Sequence, residues 1–273
     1  MTTASLQQRT PAWHAARKGK LTASNVGAAL GLCPWTSRQV AFNRAMGLDR
    51  FQGKAFSEAL GKQHYKHSPF LRLVLGAGND ATRWGTKHEA DGVLAYSAHT
   101  GNLVQNTGLH VHPDTSWLAG SPDGLIGSEG MLEVKCPYWM KKNGSRLHKE
   151  IPAHYYMQMN LCLEICGRAW CDFISWSPEA YVIYRVTRDP ELHDALTPHY
   201  LKFFAAMQRN ASSPPQQADD ELAQINELVA ASMSTHVNYD MWRNMDTNDI
   251  PPSPPLSDSD TDDEPLTKYA KTE

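Results

Sequence analysis

Residues 121–135 read SPDGLIGSEGMLEVK. The central Gly-Ser-Glu-Gly is a turn signal, and the apolar residues on either side of it predict the two arms of a β-hairpin. Side chains of a strand alternate between the two faces of a sheet, so Glu133 and Lys135 share one face and Val134 points into the core. The hairpin can bring Asp123, on the other arm, beside Glu133.

Two carboxylates and a lysine are the groups that metal-assisted hydrolysis of a phosphodiester needs. Asp123 and Glu133, with the backbone carbonyl of Val134, offer the oxygen ligands that Mg²⁺ and Mn²⁺ prefer. Lys135 can orient the attacking water and stabilise developing negative charge. The same short pattern also occurs as an ordinary turn and a solvated strand, so its meaning depends on the rest of the chain.

The composition predicts a globular protein. The 273 residues are 41% hydrophobic and include 8 Trp and 10 Tyr, which is enough for one sizeable core. No run of 18 apolar residues predicts a transmembrane helix, and the polar N-terminus lacks a signal core, so we expect an intracellular protein, in the cytoplasm or nucleus of a host cell if it is viral. Five cysteines are too few and odd in number for a disulfide framework, and we expect reduced thiols.

Positive charge is concentrated near the N-terminus. Residues 1–88 carry 13 Lys and Arg against 3 Asp and Glu, although the whole chain has a net charge of −3. Such a basic segment suits a surface that binds a polyanion. A solvated helical surface is the alternative explanation.

Periodicity and turn signals divide the chain into a domain at 1–210, a C-terminal helical extension at 211–245 and a disordered, acidic, Pro-rich tail at 246–273. Within the domain, a helical N-terminal part covers about 10–80 and a mixed core covers about 81–209. The core pattern predicts helices at 82–99, 152–165 and 190–207, strands at 125–126, 131–135, 169–176 and 181–186, and an extended stretch at 103–112 that Gly108 breaks. This order mixes helices and strands and indicates an α/β protein.

Five short motifs follow one another along the chain: Trp13, Arg17 and Ser24; WGTKHE at 84–89; GSPDG at 120–124; LEVKCP at 132–137; and YYMQ at 155–158. Their order and spacing resemble the lambda-exonuclease and YqaJ-type viral recombinase family of PD-(D/E)XK nucleases. The resemblance spans 13–187 and implies a restriction-endonuclease-like α/β core, in which a central mixed sheet is flanked by helices.

The resemblance also implies roles for individual residues. Asp123 and Glu133 would be metal ligands with the carbonyl of Val134, and Lys135 would act on the nucleophilic water. Glu89 would be a further acidic group at the metal, Gln158 would reach the active site from a helix, and Arg17 and Ser24 would bind the phosphate of a DNA end.

Simpler explanations exist for several of these residues. Glu89 could be a helix-surface acid paired with a nearby base, Gln158 an ordinary buried amide, and Arg17 part of a solvated basic turn. Four cysteines match the count of an iron–sulfur nuclease, namely Cys33, Cys162, Cys166 and Cys171. We expect core thiols instead, because a cluster there would crowd the interior.

The resemblance implies a metal-dependent exonuclease that degrades double-stranded DNA from its ends, 5′→3′, in recombination, replication or viral genome processing. Mg²⁺ would be the cofactor, with Mn²⁺ as a substitute. DNA with free ends would be the substrate, a single-strand annealing protein a partner, and a homotrimer the assembly. The alternatives are a structure-specific endonuclease, an RNA-degrading host-shutoff nuclease and, in another class, an inactive DNA-binding scaffold.

Overall fold

The computed structural model of the chain describes residues 6–48, 80–138 and 147–243. The predicted acidic tail and residues 49–79 of the predicted helical N-terminal part lie outside these ranges. In chain order the elements are α1 (Pro11–Arg17), β1 (Leu21–Thr22), α2 (Ala23–Ala29), α3 (Arg38–Met46), α4 (Asp80–Thr100), β2 (Val104–Gln105), β3 (His110–Val111), β4 (Leu118–Gly120), β5 (Gly124–Ile126), β6 (Gly130–Lys135), α5 (Ala153–Cys166), β7 (Trp170–Trp176), β8 (Tyr181–Thr187), α6 (Pro190–Gln208), α7 (Asp219–His236) and β9 (Val237–Arg243).

Local signals account for the ends of the N-terminal helices. The side chain of Thr10 accepts a hydrogen bond from the backbone N–H of Trp13 at 3.2 Å and caps α1. Ser37 does the same for Val40 at the start of α3. Gly47 ends α3 with a φ of 72°, a left-handed conformation that favours glycine. The described residues 10–48 of the predicted helical N-terminal part therefore contain three helices and the short strand β1.

The main sheet has six strands in the order β2-β5-β6-β7-β8-β9. Only β6 and β7 run parallel, and the other neighbours are antiparallel. Parallel neighbours need a crossover connection, which α5 provides. The sheet is mixed and flanked by helices, as the sequence predicts.

Both faces of the sheet are covered. Leu132 and Val134 of β6 pack in a cluster with Tyr96 of α4, whereas Met131 packs with the larger cluster that includes residues of α5. Alternation along β6 then directs Glu133 toward the α5 side, where it is only 2% exposed. A strand buried on both faces is thus the element that carries the charged motif.

A second, three-stranded sheet attaches the N-terminal part to this core. Its order is β1-β4-β3, with Leu21 beside Leu118 in a parallel pair. Helix α2 follows β1 directly and packs against α5. The contact is close, because a Cβ atom at Gly27 would lie 2.6 Å from the Cβ of His154 and 2.7 Å from its Cα.

The extended stretch at 103–112 is broken near Gly108, as the sequence predicts, and forms two short strands in different sheets. The segment at Leu6 crosses Gly108 so closely that a Cβ there would lie 2.0 Å from the Leu6 carbonyl oxygen. The C-terminal extension differs from its prediction. The predicted helical extension at 211–245 contains α7 but also β9, which pairs with the edge of β8. The division of the chain at residue 210 stays a prediction, and β9 links the two proposed parts.

The remaining predicted elements are confirmed to within a few residues, namely α4, α5, α6, β5, β6, β7 and β8. In the part of the chain that the structure describes, no helix has the length and apolarity needed to cross a membrane.

The contact between α2 and α5 predicts a difference between two glycine substitutions. Gly27→Ala forces a methyl group into the backbone of His154 and should lower the free energy of unfolding by about 1–3 kcal/mol. Gly85→Ala in α4 is the matched control, since the nearest atom to its Cβ is the carbonyl oxygen of Cys136 at 4.0 Å. It should stabilise the protein by up to about 1 kcal/mol, because alanine favours helix over glycine. Urea unfolding measures both, and equal stability of the two variants would contradict the close packing.

Candidate active site

The hairpin brings Asp123 and Glu133 together. Gly124 of β5 pairs with Leu132 of β6, and the same register continued by one residue sets Asp123 opposite Glu133. The carbonyl of Leu132 accepts a hydrogen bond from the Asp123 N–H at 3.1 Å. The Oδ2 of Asp123 accepts one from the N–H of Val134 at 2.8 Å, which anchors this carboxylate to β6.

Glu133 has two donors on one carboxylate oxygen. The Nζ of Lys135 donates to its Oε1, and the Nε2 of Gln158 donates to the same atom at 2.5 Å. Lys135 comes from the same strand and Gln158 from α5. The structure therefore places Gln158 against the predicted catalytic carboxylate. The sequence alone also allowed Gln158 to be an ordinary buried amide.

Lys135 is held in its charged form. Burial lowers the pKa of Lys135, but the negative charge of Glu133, followed by the interactions with Tyr155 and Asp123, outweighs that effect and raises it above its usual range. The Nζ atom also lies 4.6 Å from the centre of the Tyr155 ring, in a cation–π contact. A fixed ammonium group beside two carboxylates suits a role in orienting water or a phosphate oxygen.

The pKa of Asp123 is shifted by its buried position and by the neighbouring carboxylates. Burial raises the pKa of Asp123 well above its usual range, and the charges of Glu133 and Glu89 raise it further. Glu89, on α4, is therefore close enough to influence the site. Its own ion-pair partner is Arg9, from the segment before α1.

These residues fit a divalent cation. A surplus of buried carboxylate charge with oxygen donors is the chemistry that Mg²⁺ or Mn²⁺ compensates. Within residues 6–48, 80–138 and 147–243, no three His, Cys, Asp or Glu side chains form a ready-made metal cluster. In this structure the carboxylate of Glu133 accepts hydrogen bonds from Lys135 and Gln158, and that of Glu89 pairs with Arg9.

Arg17 and Ser24 also meet. The Nη2 of Arg17 donates to the Oγ of Ser24 at 2.8 Å and to the Oγ1 of Thr22 at 3.1 Å. Its guanidinium lies 4.1 Å from the centre of the Trp13 ring. Trp13 in turn donates from Nε1 to the Oγ of Ser121 at 2.9 Å. This chain of contacts ties the predicted phosphate-binding pair to the residue two positions before Asp123.

The charge of Arg17 has no carboxylate partner among the residues that the structure describes. Burial lowers the pKa of Arg17 to about 10, which leaves the guanidinium charged at neutral pH. A half-buried, positively charged group surrounded by hydroxyls is a natural anion site.

Sequence reasoning missed three contributors to this region: Arg9, Tyr155 as the ring under Lys135, and Ser121 as the acceptor for Trp13. Arg9 lies outside every motif, so nothing local indicated its contact with α4. Tyr155 and Ser121 belonged to quoted motifs, but their roles depend on how α5 and α1 pack.

The five cysteines are unpaired thiols. Cys162 and Cys171 lie in the larger core cluster, and burial raises the pKa of each well above its ordinary value. For these two residues the structure therefore supports the predicted core thiols, whereas Cys33 and Cys166 are only partly buried.

Known proteins resemble this chain over different extents. An uncharacterized protein, R354, of Acanthamoeba polyphaga mimivirus is 28% identical over 147 residues, which are 46% of this chain and 27% of that protein. The chain thus matches only about a quarter of that relative's length.

Two solved structures are similar to this chain. One is an alkaline exonuclease, LHK-Exo, from Laribacter hongkongensis, with 24% identity and a TM-score of 0.47 over 82% of this chain and 99% of that chain. The other is a phage related exonuclease from Haemophilus somnus 129PT, with 14% identity and a TM-score of 0.43 over 77% and 96%.

A family model identifies residues 12–169 as a YqaJ-like viral recombinase domain. The match covers more than half of the chain and includes every residue placed in the site above except Arg9. The chain therefore belongs to the family of proteins with a YqaJ-like viral recombinase domain.

Proposed function

We propose that the chain is a divalent-metal-dependent exonuclease that hydrolyses double-stranded DNA from free ends in the 5′→3′ direction. The observation that carries this proposal is the meeting of Asp123, Glu133 and Lys135 at one hairpin, with Gln158 on Glu133. Family membership supports the nuclease class, and the direction follows from the resemblance to lambda-exonuclease.

The residues divide the chemistry among them. Asp123, Glu133 and Glu89, with the carbonyl of Val134, would hold Mg²⁺ or Mn²⁺. The bound ion supplies a more acidic water and a polarised phosphoryl oxygen. Lys135 holds the attacking water and stabilises negative charge as it develops on the phosphate.

Gln158 has a positioning role in this scheme. Its amide fixes one oxygen of Glu133, which orients the carboxylate from the side of α5. An active site of this kind depends on ligands that are already aligned before the substrate arrives.

The pair formed by Arg17 and Ser24 accounts for the preference for ends. A terminal phosphate carries more negative charge than an internal diester, and the uncompensated guanidinium of Arg17 would attract it. The contact through Trp13 and Ser121 sets the distance between this anchor and the hairpin.

Residues 1–210 form the exonuclease domain in this proposal, and 211–245 an extension that completes the sheet. The annealing partner and the trimer that the resemblance implies belong to the same proposal. The acidic tail would be dispensable for cleavage.

A digest of end-labelled linear DNA beside covalently closed circular DNA tests the activity. Linear DNA should be degraded with Mg²⁺ or Mn²⁺, and excess chelator should stop the reaction, whereas Ca²⁺ should bind without turnover. Because the pKa of Asp123 is raised, protons compete with the metal, and the Mg²⁺ concentration needed for half-maximal activity should rise as the pH falls.

The other outcomes of the digest identify the alternatives. Cleavage of the closed circle would indicate an endonuclease, degradation of RNA alone a host-shutoff nuclease, and DNA binding without turnover a scaffold. Full activity in excess chelator would disprove the metal mechanism.

Lys135→Ala should reduce kcat by at least roughly 100-fold, because the variant loses the charge beside the reacting phosphate. DNA affinity should change little, since the basic N-terminal part dominates binding. Lys202→Ala is the matched control: Lys202 is an exposed lysine that pairs with Glu221 on α7. Normal turnover by Lys135→Ala would show that the site is wrongly assigned.

Arg17→Ala should remove the preference for 5′-phosphorylated over 5′-hydroxyl ends. The loss of a charge-assisted contact of about 1.5–3 kcal/mol corresponds to roughly a 10- to 100-fold slower reaction on phosphorylated ends. Arg188→Ala, with a weak 3.9 Å pair to Glu164, is the control for losing one surface arginine. If Arg17→Ala slows both kinds of end equally, Arg17 is a general backbone contact and not an end anchor.

A further inference from the structure

Trp35 is an exposed aromatic residue in the loop between α2 and α3. Its side chain is 63% exposed, and the other aromatic among the exposed large hydrophobic residues of the described chain is Tyr138, at 41%. A single exposed apolar side chain is ordinary and by itself indicates no function. The contacts of its ring are what distinguish Trp35.

Two rings, those of His154 and Tyr155, connect Trp35 to Lys135. Trp35 lies edge-to-face on His154, with centroids 5.0 Å apart, and His154 lies 4.1 Å from Tyr155. The Nζ of Lys135 is 4.6 Å from the centre of the Tyr155 ring. Trp35, His154 and Tyr155 therefore form an aromatic line that runs from solvent to the active site.

The position of this line is set by α5 and α2. His154 precedes Gln158 by four residues, so the two side chains lie on the same face of α5, one turn apart. The backbone of His154 is packed against Gly27, which holds α2 and the loop after it in place. Burial and the charge of Lys135 lower the pKa of His154 to about 4, so its ring is neutral at physiological pH.

We propose that Trp35 is a base-stacking residue, whose exposed ring takes a nucleobase of the DNA beside the phosphodiester that is cut. This inference rests on the proposed function and adds a nucleobase subsite to it. A flat apolar ring is complementary to the face of any base, and stacking of this kind tolerates every sequence. Such tolerance suits an enzyme that degrades DNA progressively.

The placement of charge supports the same occupant. Lys135 at one end of the aromatic line and Arg17 near the start of α2 both attract phosphates. A DNA strand whose phosphates lie at Lys135 and Arg17 would present its bases to the ring of Trp35, in the loop between α2 and α3. The proposal therefore assigns phosphate binding to the basic side chains and base binding to Trp35.

A comparison of normal and abasic substrates tests the subsite. Linear duplexes carry an abasic residue at each of the first three positions from the 5′ end in turn, and kcat/KM is measured with Mg²⁺. The wild-type protein should prefer the normal duplex roughly tenfold at one of these positions, as expected for one lost stacking contact. Trp35→Leu should lose this preference, whereas Trp35→Phe, which keeps a flat ring, should retain part of it.

Leu103→Ala is the control for a loss of exposed apolar surface, because Leu103 is 85% exposed and outside the aromatic line. It should behave as the wild type does. Equal preference in Trp35→Leu and wild type, or no preference in the wild type, would overturn the inference while leaving the exonuclease proposal intact.

A binding measurement separates the two proposals if the wild type degrades no DNA. Duplexes with 2-aminopurine at the same positions are bound in Ca²⁺, and the quenching of their fluorescence reports stacking. Stronger quenching by wild type and Trp35→Phe than by Trp35→Leu supports the base subsite even where the exonuclease proposal fails. Identical quenching by all three proteins refutes it.

Discussion

The buried carboxylate of Glu133 is the constraint on which the rest of the site depends. A charge at 2% exposure is costly unless its oxygens are paired, and both available donors, Lys135 and Gln158, meet at the same oxygen. One donor comes from β6 itself and the other from α5. The pairing therefore ties α5 to β6, one of the two parallel strands.

The position of α5 decides where the N-terminal helices lie. Gly27 leaves no room between α2 and His154, so α2 is placed to within the width of a methyl group. Ser24 and Arg17 at one end of α2, and Trp35 beyond its other end, take their positions from this contact. The contact between α5 and α2 thus determines where Arg17, Ser24 and Trp35 lie at the surface.

The site contains two groups of opposite charge. The carboxylates of Asp123, Glu133 and Glu89 form an acidic group, and the guanidinium of Arg17 is separate from them. Burial, followed by the charges of Glu133 and Glu89, raises the pKa of Asp123. In the described part of the chain Arg17 has only hydroxyl partners and an aromatic ring. A divalent cation would compensate the first group and a phosphate the second. The two clusters lie side by side because Trp13 bonds to Ser121, next to the hairpin.

The sequence by itself determined the hairpin and the mixed core and predicted the candidate catalytic residues, because turn chemistry and strand alternation act over a few residues and the motifs are local. Only the tertiary structure decided that Gln158 contacts Glu133, that Arg9 pairs with Glu89 and that 237–243 forms a strand. These features depend on residues that are distant in the chain. β9 forms because β8 offers an unpaired edge. Trp35 contacts His154 only because α2 and α5 pack together. Local pattern identifies the reactive groups, whereas long-range packing sets the distances between them.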